Sequence, residues 1–330
     1  MRFAPVPFFL FLSATLVEHA VAQGVRPASL DSLRVLGLDS VGGVAIAYFR
    51  PEHRSRALEV HSLLTSFVTY YREHGGVESR MRVGVVNSTD WARLTNTPYG
   101  LPTNSGPLST ANLLLAASAP PERVGAREMP RGSVYDFLTI GHEGGHLLTW
   151  ELMPAEMRAA LTSPDEPSAA MMERLRNLSR IPAWYYELAA SYFATAFLEA
   201  NHPEGAAAWL DHLKELTAID RPRFTHLGDW FGRVMTATAP DSTPYVFSVE
   251  GGLNQGWYQG VVGQVAAHIY RQTGLNFITH IRALLALSPA PSTQELVERL
   301  DSIAPGVIDL LGNLGAHWKM QGQTLSGGST

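Results

Sequence analysis

The stretch GSVYDFLTIGHEGGHLLTW, residues 132–150, decides how the rest of the chain is interpreted. His142 and His146 lie four residues apart in it, and Glu143 follows the first histidine. Residues four apart share one face of a helix, so on a helix both imidazoles can bind one metal ion. Glycine costs about 1 kcal/mol relative to alanine inside a helix, and the stretch contains Gly141, Gly144 and Gly145. It is therefore either a metal-binding helix or a glycine-rich loop.

The residues around the motif favour the helix. Ser133 followed three residues later by Asp136 is typical of a helix N-terminus, and apolar residues then recur at helical spacing. A phosphate-binding glycine loop would follow a strand and end in Lys-Ser or Lys-Thr, and neither is present. We predict a helix over residues 134–152. We also expect another backbone, either the segment 154–180 or a substrate strand, to pack closely against Gly144 and Gly145.

A catalytic zinc site needs a third protein ligand, with water in the fourth position. Glu143 is the neighbour that would take a proton from that water. The metzincin class is excluded, because Thr149 and Leu152 stand where it has a glycine and a histidine. A carboxylate farther along the chain is the remaining source of a ligand. The candidates are Glu151, Glu156, Asp165, Glu166, Glu173 and Glu187.

Glu187 differs from the other candidates in its surroundings. Glu151 and Glu156 lie on or just beyond the motif's own helix, and the next three candidates lie in a polar stretch. Glu187 lies within IPAWYYELAASYFATAFLEA, residues 181–200, which is otherwise a largely apolar predicted helix. A carboxylate there costs free energy unless it is paired or bound to a metal. The alternative is an exposed glutamate on the polar side of that helix.

The composition is that of a globular protein. The 330 residues are 45% hydrophobic and 17% charged, which is sufficient for one large domain or two lobes. A formal charge of −5 gives no electrostatic reason to expect nucleic acid or an anionic membrane as a partner. The chain has no cysteine, so disulfides and thiolate metal ligands are excluded.

The N-terminus has the pattern of a secretory signal peptide. Arg2 precedes an apolar run over residues 3–17, and small residues follow at Ala20 and Ala22. We predict cleavage after Ala22 and a secreted or periplasmic protein. A membrane anchor is the weaker alternative, because the run is shorter than the roughly 18 residues that a span needs. We expect no stable membrane span after the signal is removed.

Strands come first in the chain and helices follow, which predicts an α+β fold. We predict strands over 41–51, 80–86 and 111–118, with helices over 53–76 and from Ser88. The later predicted helices cover 134–152, 167–179, 182–200, 203–217, 257–273, 274–287, 293–301 and 305–320. This organisation predicts a signal peptide over 1–22, an α/β lobe over 23–152, a helical lobe over 153–321 and a disordered tail over 322–330. The active-site cleft would lie between the lobes.

HEGGH followed by WYYELAASYF, residues 184–193, resembles the gluzincin metallopeptidases, the group that contains thermolysin and the zinc aminopeptidases. The second motif of that group, W-x-x-E-G-x-A-S-Y, is matched by Trp184, Glu187, Ala190, Ser191 and Tyr192. The resemblance implies a zincin-like fold with Glu187 as the third zinc ligand. It also implies that Ser191 orients a ligand histidine.

The resemblance extends to a later helix and has two departures. In the aminopeptidase branch a tyrosine on that helix stabilises the oxyanion, which implies Tyr258 here, with Tyr245 and His226 as the alternatives. The segment between the motifs is longer than in compact members, through an extra helix over 154–180. The G-x-M-E-N motif that captures a substrate amine is missing, and YGLPTNSG stands in that region.

The hypothesis from the sequence is an exported zinc peptidase that acts on a peptide or protein substrate. Zn²⁺ would be held by His142, His146 and Glu187, with Glu143 as general base and Tyr258 as oxyanion donor. The strand at 111–118 would pair with the extended substrate. The alternative from another class is a non-catalytic, zinc-stabilised module that binds a peptide or partner. A metal-free helical protein with a chance motif is the third possibility.

Overall fold

The computed structural model describes residues 36–95, 99–104, 112–118, 123–124, 127–128, 133–162, 168–218, 222–230, 232–239, 245 and 248–319. Within these residues the protein is α+β, with a small mixed sheet in the first part and helices in the rest. The predicted α+β class is therefore confirmed, and the zincin-like fold stays a prediction. The predicted signal peptide and the predicted tail lie outside the described residues.

The main sheet has five strands in the order β1-β2-β3-β5-β4. β2, β3 and β5 run parallel, and β1 and β4 pair antiparallel with their neighbours at the two edges. The strands are β1 Asp39–Val41, β2 Ile46–Phe49, β3 Arg82–Val86, β4 Thr103–Asn104 and β5 Leu113–Ala116. A separate pair consists of β6 Arg123–Val124 and β7 Arg127–Glu128. The three predicted strands are present, each shorter than predicted.

One expectation about the sheet is wrong for Leu113 and Leu114, which already pair with β4. The strand predicted at 111–118 was expected to pair with a substrate, but β5 lies between β3 and β4. Leu113 pairs with Asn104, and Leu114 pairs with Thr103. On this side of the sheet the edge strand is therefore β4, which lies within the stretch YGLPTNSG.

The helices follow from Arg54 onward. They are α1 Arg54–His74, α2 Ser88–Leu94, α3 Ser133–Phe137, a π-helical segment Leu138–Glu143, α4 Gly144–Glu151, α5 Ala155–Thr162, α6 Ala169–Ser179, α7 Ala183–Asn201, α8 Pro203–Thr217, α9 Arg233–Thr236, α10 Val249–Thr273, α11 Phe277–Leu285, α12 Thr293–Ile303 and α13 Val307–Asn313. Short 3₁₀ turns cover Pro51–His53, Leu227–Asp229 and Gly274–Asn276. α3, the π-helical segment and α4 run on without a break, and we call them together the motif helix.

Three helices differ from the prediction. α10 begins at Val249 rather than at 257, because Ser248 caps it by accepting a hydrogen bond from the backbone N–H of Gly251 at 3.0 Å. The segment 154–180 contains two helices, α5 and α6, rather than one. The helix predicted over 305–320 is confined to α13.

α7 is the central helix of the protein. All its residues from Trp184 to Leu198 are buried, and it packs against the motif helix, α8 and α10. One continuous cluster of buried hydrophobic side chains extends from Ala45 in the first part of the chain to Ala316 near its end. The lobe boundary at 152/153 and the cleft stay predictions. No helix in the described part of the chain is long and apolar enough to cross a membrane.

Candidate metal centre

The motif helix and α7 come into direct contact through small residues. A Cβ added at Gly145 would lie 2.6 Å from the carbonyl oxygen of Ala190, and one added at Gly141 would lie 3.1 Å from the Cβ of Ala194. Side chains at these positions would push the helices apart. The glycines that argued against a helix therefore allow the close approach that brings the two motifs together.

The predicted close approach is confirmed at Gly145, but the predicted neighbour is wrong. The backbone packed there belongs to α7 and not to the segment 154–180. At Gly144 the neighbours are side chains, since an added Cβ would lie 3.0 Å from Phe67 and 3.5 Å from the sulfur of Met81. The helix is also π-helical over Leu138–Glu143, a local form that often occurs at functional sites.

The contact between the motif helix and α7 brings two imidazoles and one carboxylate together. One potential ligand atom from each of His142, His146 and Glu187 lies within 4.8 Å of the other two. The Nε2 atom of His142 is 3.2 Å from Oε2 of Glu187, and the Nε2 atom of His146 is 3.6 Å from Oε1. Both side chains of the first pair are almost completely buried, with exposed fractions of 3% and 5%. All three residues predicted as metal ligands therefore belong to one buried cluster.

The charges in the cluster suit a divalent cation. Burial opposes ionisation of Glu187, but the attraction of His146 and His142 and the hydrogen bond from Gln259 outweigh it and hold the pKa of Glu187 at about 2. Burial also lowers the pKa of His146, although Glu187 opposes this shift. The cluster thus favours an ionised carboxylate with neutral His146, and these are the protonation states that bind metal.

The separations also suit one small metal ion. With metal–ligand distances of about 2.0–2.2 Å, two ligand atoms of a tetrahedral site lie roughly 3.4 Å apart. The two nitrogen–oxygen distances in the cluster are 3.2 and 3.6 Å, close to that value, although they end on different oxygens of Glu187. Two nitrogens and one oxygen form a donor set of the kind that catalytic zinc has. A buried group able to hold a metal ion is therefore present.

Two further polar side chains contact the cluster. Ser191 Oγ lies 3.2 Å from Nδ1 of His142, as predicted for a residue that orients a ligand histidine. Gln259 on α10 donates from Nε2 to Oε2 of Glu187 at 2.9 Å. His146 is held less firmly, since its Nδ1 has no hydrogen-bond partner among the described residues.

Glu143 is held by the edge strand of the sheet. Asn104 on β4 donates from Nδ2 to Oε2 of Glu143 at 2.6 Å. Glu143 is more exposed than the adjacent His142, and it is not a member of the ligand cluster. It therefore lies beside the candidate metal site with one carboxylate oxygen in contact with an amide.

The three candidate oxyanion donors form hydrogen bonds to groups outside the ligand cluster. The hydroxyl of Tyr258 donates to the carbonyl oxygen of His226 at 2.7 Å, and the ring is buried against Trp230. The hydroxyl of Tyr245 donates to Asn254 at 3.3 Å, and Nδ1 of His226 accepts from the backbone of Gly228 at 3.1 Å. Each of the three side chains thus forms a hydrogen bond within the protein. The oxyanion role of Tyr258 stays a prediction, and these contacts lend it no support.

Comparison of the chain with models of protein families, with curated proteins and with solved structures gives no match. The site is therefore interpreted from its own geometry.

The other carboxylates considered as third ligands have other partners. Glu151 forms an ion pair with Arg158, Glu156 lies 2.7 Å from Arg174, and Glu173 lies 2.8 Å from Arg176. Asp165 and Glu166 lie outside the described residues. Of the described candidates, Glu187 alone joins the two histidines.

Two contacts of the site were not predicted from the sequence. Gln259 follows the candidate Tyr258 within the largely apolar stretch WYQGVVGQVAA, and a polar residue at that place was the available signal. Asn104 lies in the stretch YGLPTNSG, which holds no comparable signal in the sequence. Its contact with Glu143 depends on how β4 pairs with β5.

Proposed function

We propose that this chain is an exported zinc peptidase of the gluzincin type, with a zincin-like fold, and that Glu143 is its general base. The observation that carries the proposal is the buried cluster of His142, His146 and Glu187 with Glu143 beside it. The motif helix and the apolar helix α7 supply these four residues.

Each side chain has a chemical role in this proposal. His142, His146 and Glu187 would hold Zn²⁺, which when bound would polarise the scissile carbonyl and lower the pKa of a water molecule toward about 7. Glu143 takes a proton from the attacking water and later gives it to the leaving amine. Asn104 holds one oxygen of Glu143 and leaves the other for this transfer.

Two observations favour an enzyme over a zinc-stabilised binding module. The cluster contains three protein ligands among the described residues, and an open fourth position is typical of catalytic rather than structural zinc. Glu143 is also held in place without being a ligand, which a purely structural site does not require. A closed site with four protein ligands would favour the alternative.

The edge strand supports a peptide substrate. β4 pairs with β5 on one side and also contacts the motif helix. An extended peptide that adds to β4 as a further strand would run past Glu143, with main-chain hydrogen bonds holding it there. Because the G-x-M-E-N motif is missing from the sequence, nothing identified in this chain captures a free substrate amine. We therefore do not propose an aminopeptidase.

Zinc analysis combined with a peptide-library cleavage assay tests the proposal. The purified protein should contain one zinc per chain and cleave peptides. A chelator should abolish cleavage, and added zinc should restore it. One zinc per chain without cleavage of any library peptide would favour the binding module. Absence of zinc after purification and after reconstitution would contradict the proposal altogether.

A further inference from the structure

The two oxygens of Glu187 have different surroundings. Oε2 contacts both Nε2 of Gln259 at 2.9 Å and Nε2 of His142 at 3.2 Å. Oε1 lies 3.6 Å from Nε2 of His146. The carboxylate is therefore held at one oxygen, while the other faces the second imidazole.

Metal binding would remove one of the two contacts at Oε2. A ligand histidine presents a nitrogen lone pair to the metal and keeps its proton on the other nitrogen. For His142 that other nitrogen is Nδ1, which has Ser191 beside it at 3.2 Å. Nε2 of His142 then has no proton to donate to Glu187. Gln259 is the remaining side-chain donor to Oε2 among the described residues.

The position of Gln259 is set by the packing of α10. A Cβ added at the next residue, Gly260, would lie 2.6 Å from the carbonyl oxygen of Leu213 on α8. One added at Gly263 would lie 2.5 Å from a methyl carbon of Leu213. α10 therefore lies tightly against α8 on one side and also packs against α7. The amide of Gln259 is buried and reaches Glu187 from a rigid support.

We propose that Gln259 is a positioning residue which keeps Oε2 of Glu187 occupied, so that Glu187 binds the metal through Oε1 alone. This inference rests on the proposed function, because it concerns the ligand that would hold zinc. Without the amide, the carboxylate is no longer held in the orientation that binds the metal, which weakens binding, and its second oxygen can crowd the open position. Outer-sphere partners of this kind typically contribute about 10–100-fold to metal affinity.

The test uses Gln259→Met, which keeps an unbranched side chain of similar length and removes the donor. Gln259→Leu is the second variant, in case the first folds poorly. The matched control is Gln264→Met on the same helix. Gln264 donates to Oγ1 of Thr217 at 2.9 Å and does not contact the cluster.

Zinc affinity is measured by competition with a chromophoric chelator, and the visible spectrum of the Co²⁺ form is recorded. We expect the zinc Kd to rise about 10–100-fold in both Gln259 variants, with weaker Co²⁺ absorption as coordination rises above four. The Gln264→Met protein should stay within twofold of wild type. A Kd within twofold of wild type and an unchanged Co²⁺ spectrum in a folded Gln259 variant would overturn the inference while the proposed function stands. Failure of the wild-type protein to bind zinc would overturn both.

Discussion

Gly145 of the motif helix lies directly against the backbone of Ala190 on α7, so close that an added Cβ would be 2.6 Å from its carbonyl oxygen and 2.8 Å from its Cα. Glu187 lies three residues before Ala190 on α7, and His146 follows Gly145 on the motif helix. The same contact that requires glycine therefore sets the distance between a histidine and the carboxylate.

Gly145→Ala should therefore destabilise the protein. Backbone atoms lie where the new methyl group would be, and overpacking of this kind costs about 1–3 kcal/mol. The separation of His146 from Glu187 should also increase, so zinc affinity should fall. Urea unfolding and a zinc titration measure the two effects.

Two other glycines provide the controls for this substitution. Gly312 has nothing within 4 Å of an added Cβ, so Gly312→Ala should stabilise the protein by up to about 1 kcal/mol through helix propensity. Gly144 faces the side chains of Phe67 and Met81, which can shift, so Gly144→Ala should cost less than Gly145→Ala. Equal losses of unfolding free energy in Gly144→Ala and Gly145→Ala would contradict the close contact of Gly145 with α7 as the cause.

Glu187→Gln should remove most of the zinc affinity and leave the fold intact. The amide keeps the shape of the side chain but loses its negative charge. In the wild-type protein Glu187 is ionised, because its surroundings lower its pKa to about 2. We expect more than about a 100-fold rise in the zinc Kd, since loss of a ligand exceeds the effect of an outer-sphere change. Circular dichroism reports the fold.

Glu156→Gln is the control for that experiment, because Glu156 was a candidate ligand and instead lies 2.7 Å from Arg174. Its zinc affinity should equal that of wild type. Tight zinc binding by Glu187→Gln would show that another residue supplies the third ligand.

Asn104→Ala should slow peptide cleavage and leave zinc bound. The amide holds Oε2 of Glu143 at 2.6 Å but does not contact the ligand cluster. A misplaced general base loses part of the 10²–10⁴-fold that it contributes, so we expect kcat to fall about tenfold or more. Asn201→Ala, which removes an amide bonded to the carbonyl oxygen of Phe197 at 3.0 Å, should leave kcat unchanged. An unchanged kcat in Asn104→Ala would exclude a positioning role.

Tyr258→Phe tests whether the hydroxyl of Tyr258 has a structural or a catalytic role. Because the hydroxyl donates to the carbonyl oxygen of His226 at 2.7 Å, we expect the free energy of unfolding to fall by about 1 kcal/mol. We expect kcat/KM to change less than tenfold. Loss of an oxyanion donor would lower kcat about 10²–10³-fold, and that result would support the oxyanion role instead.

The ligand set could be predicted because its signals are local. Four-residue spacing places His142 and His146 on one helix face, and the apolar context of Glu187 marks a carboxylate that needs a partner. The structure brings all three together.

The contacts that could not be predicted depend on packing between distant segments. Asn104 reaches Glu143 because β4 adds to the edge of the sheet, and α7 rather than the segment 154–180 approaches Gly145. The helix predicted over 257–273 begins at Val249 in the structure, eight residues earlier, in the glycine-rich sequence VEGGLNQG. In the structure, Gly256 within it faces Leu216 of α8, so close packing rather than a turn accounts for that glycine.

Glu143→Gln tests the central claim most directly, since it removes the base and keeps the ligands. Zinc content and peptide cleavage are measured on the same preparation, with Glu151→Gln, a change on the same helix outside the ligand cluster, as the control. We predict one zinc per chain in both variants, with kcat lowered at least about 100-fold in Glu143→Gln alone. Cleavage by Glu143→Gln at the wild-type rate would contradict the account.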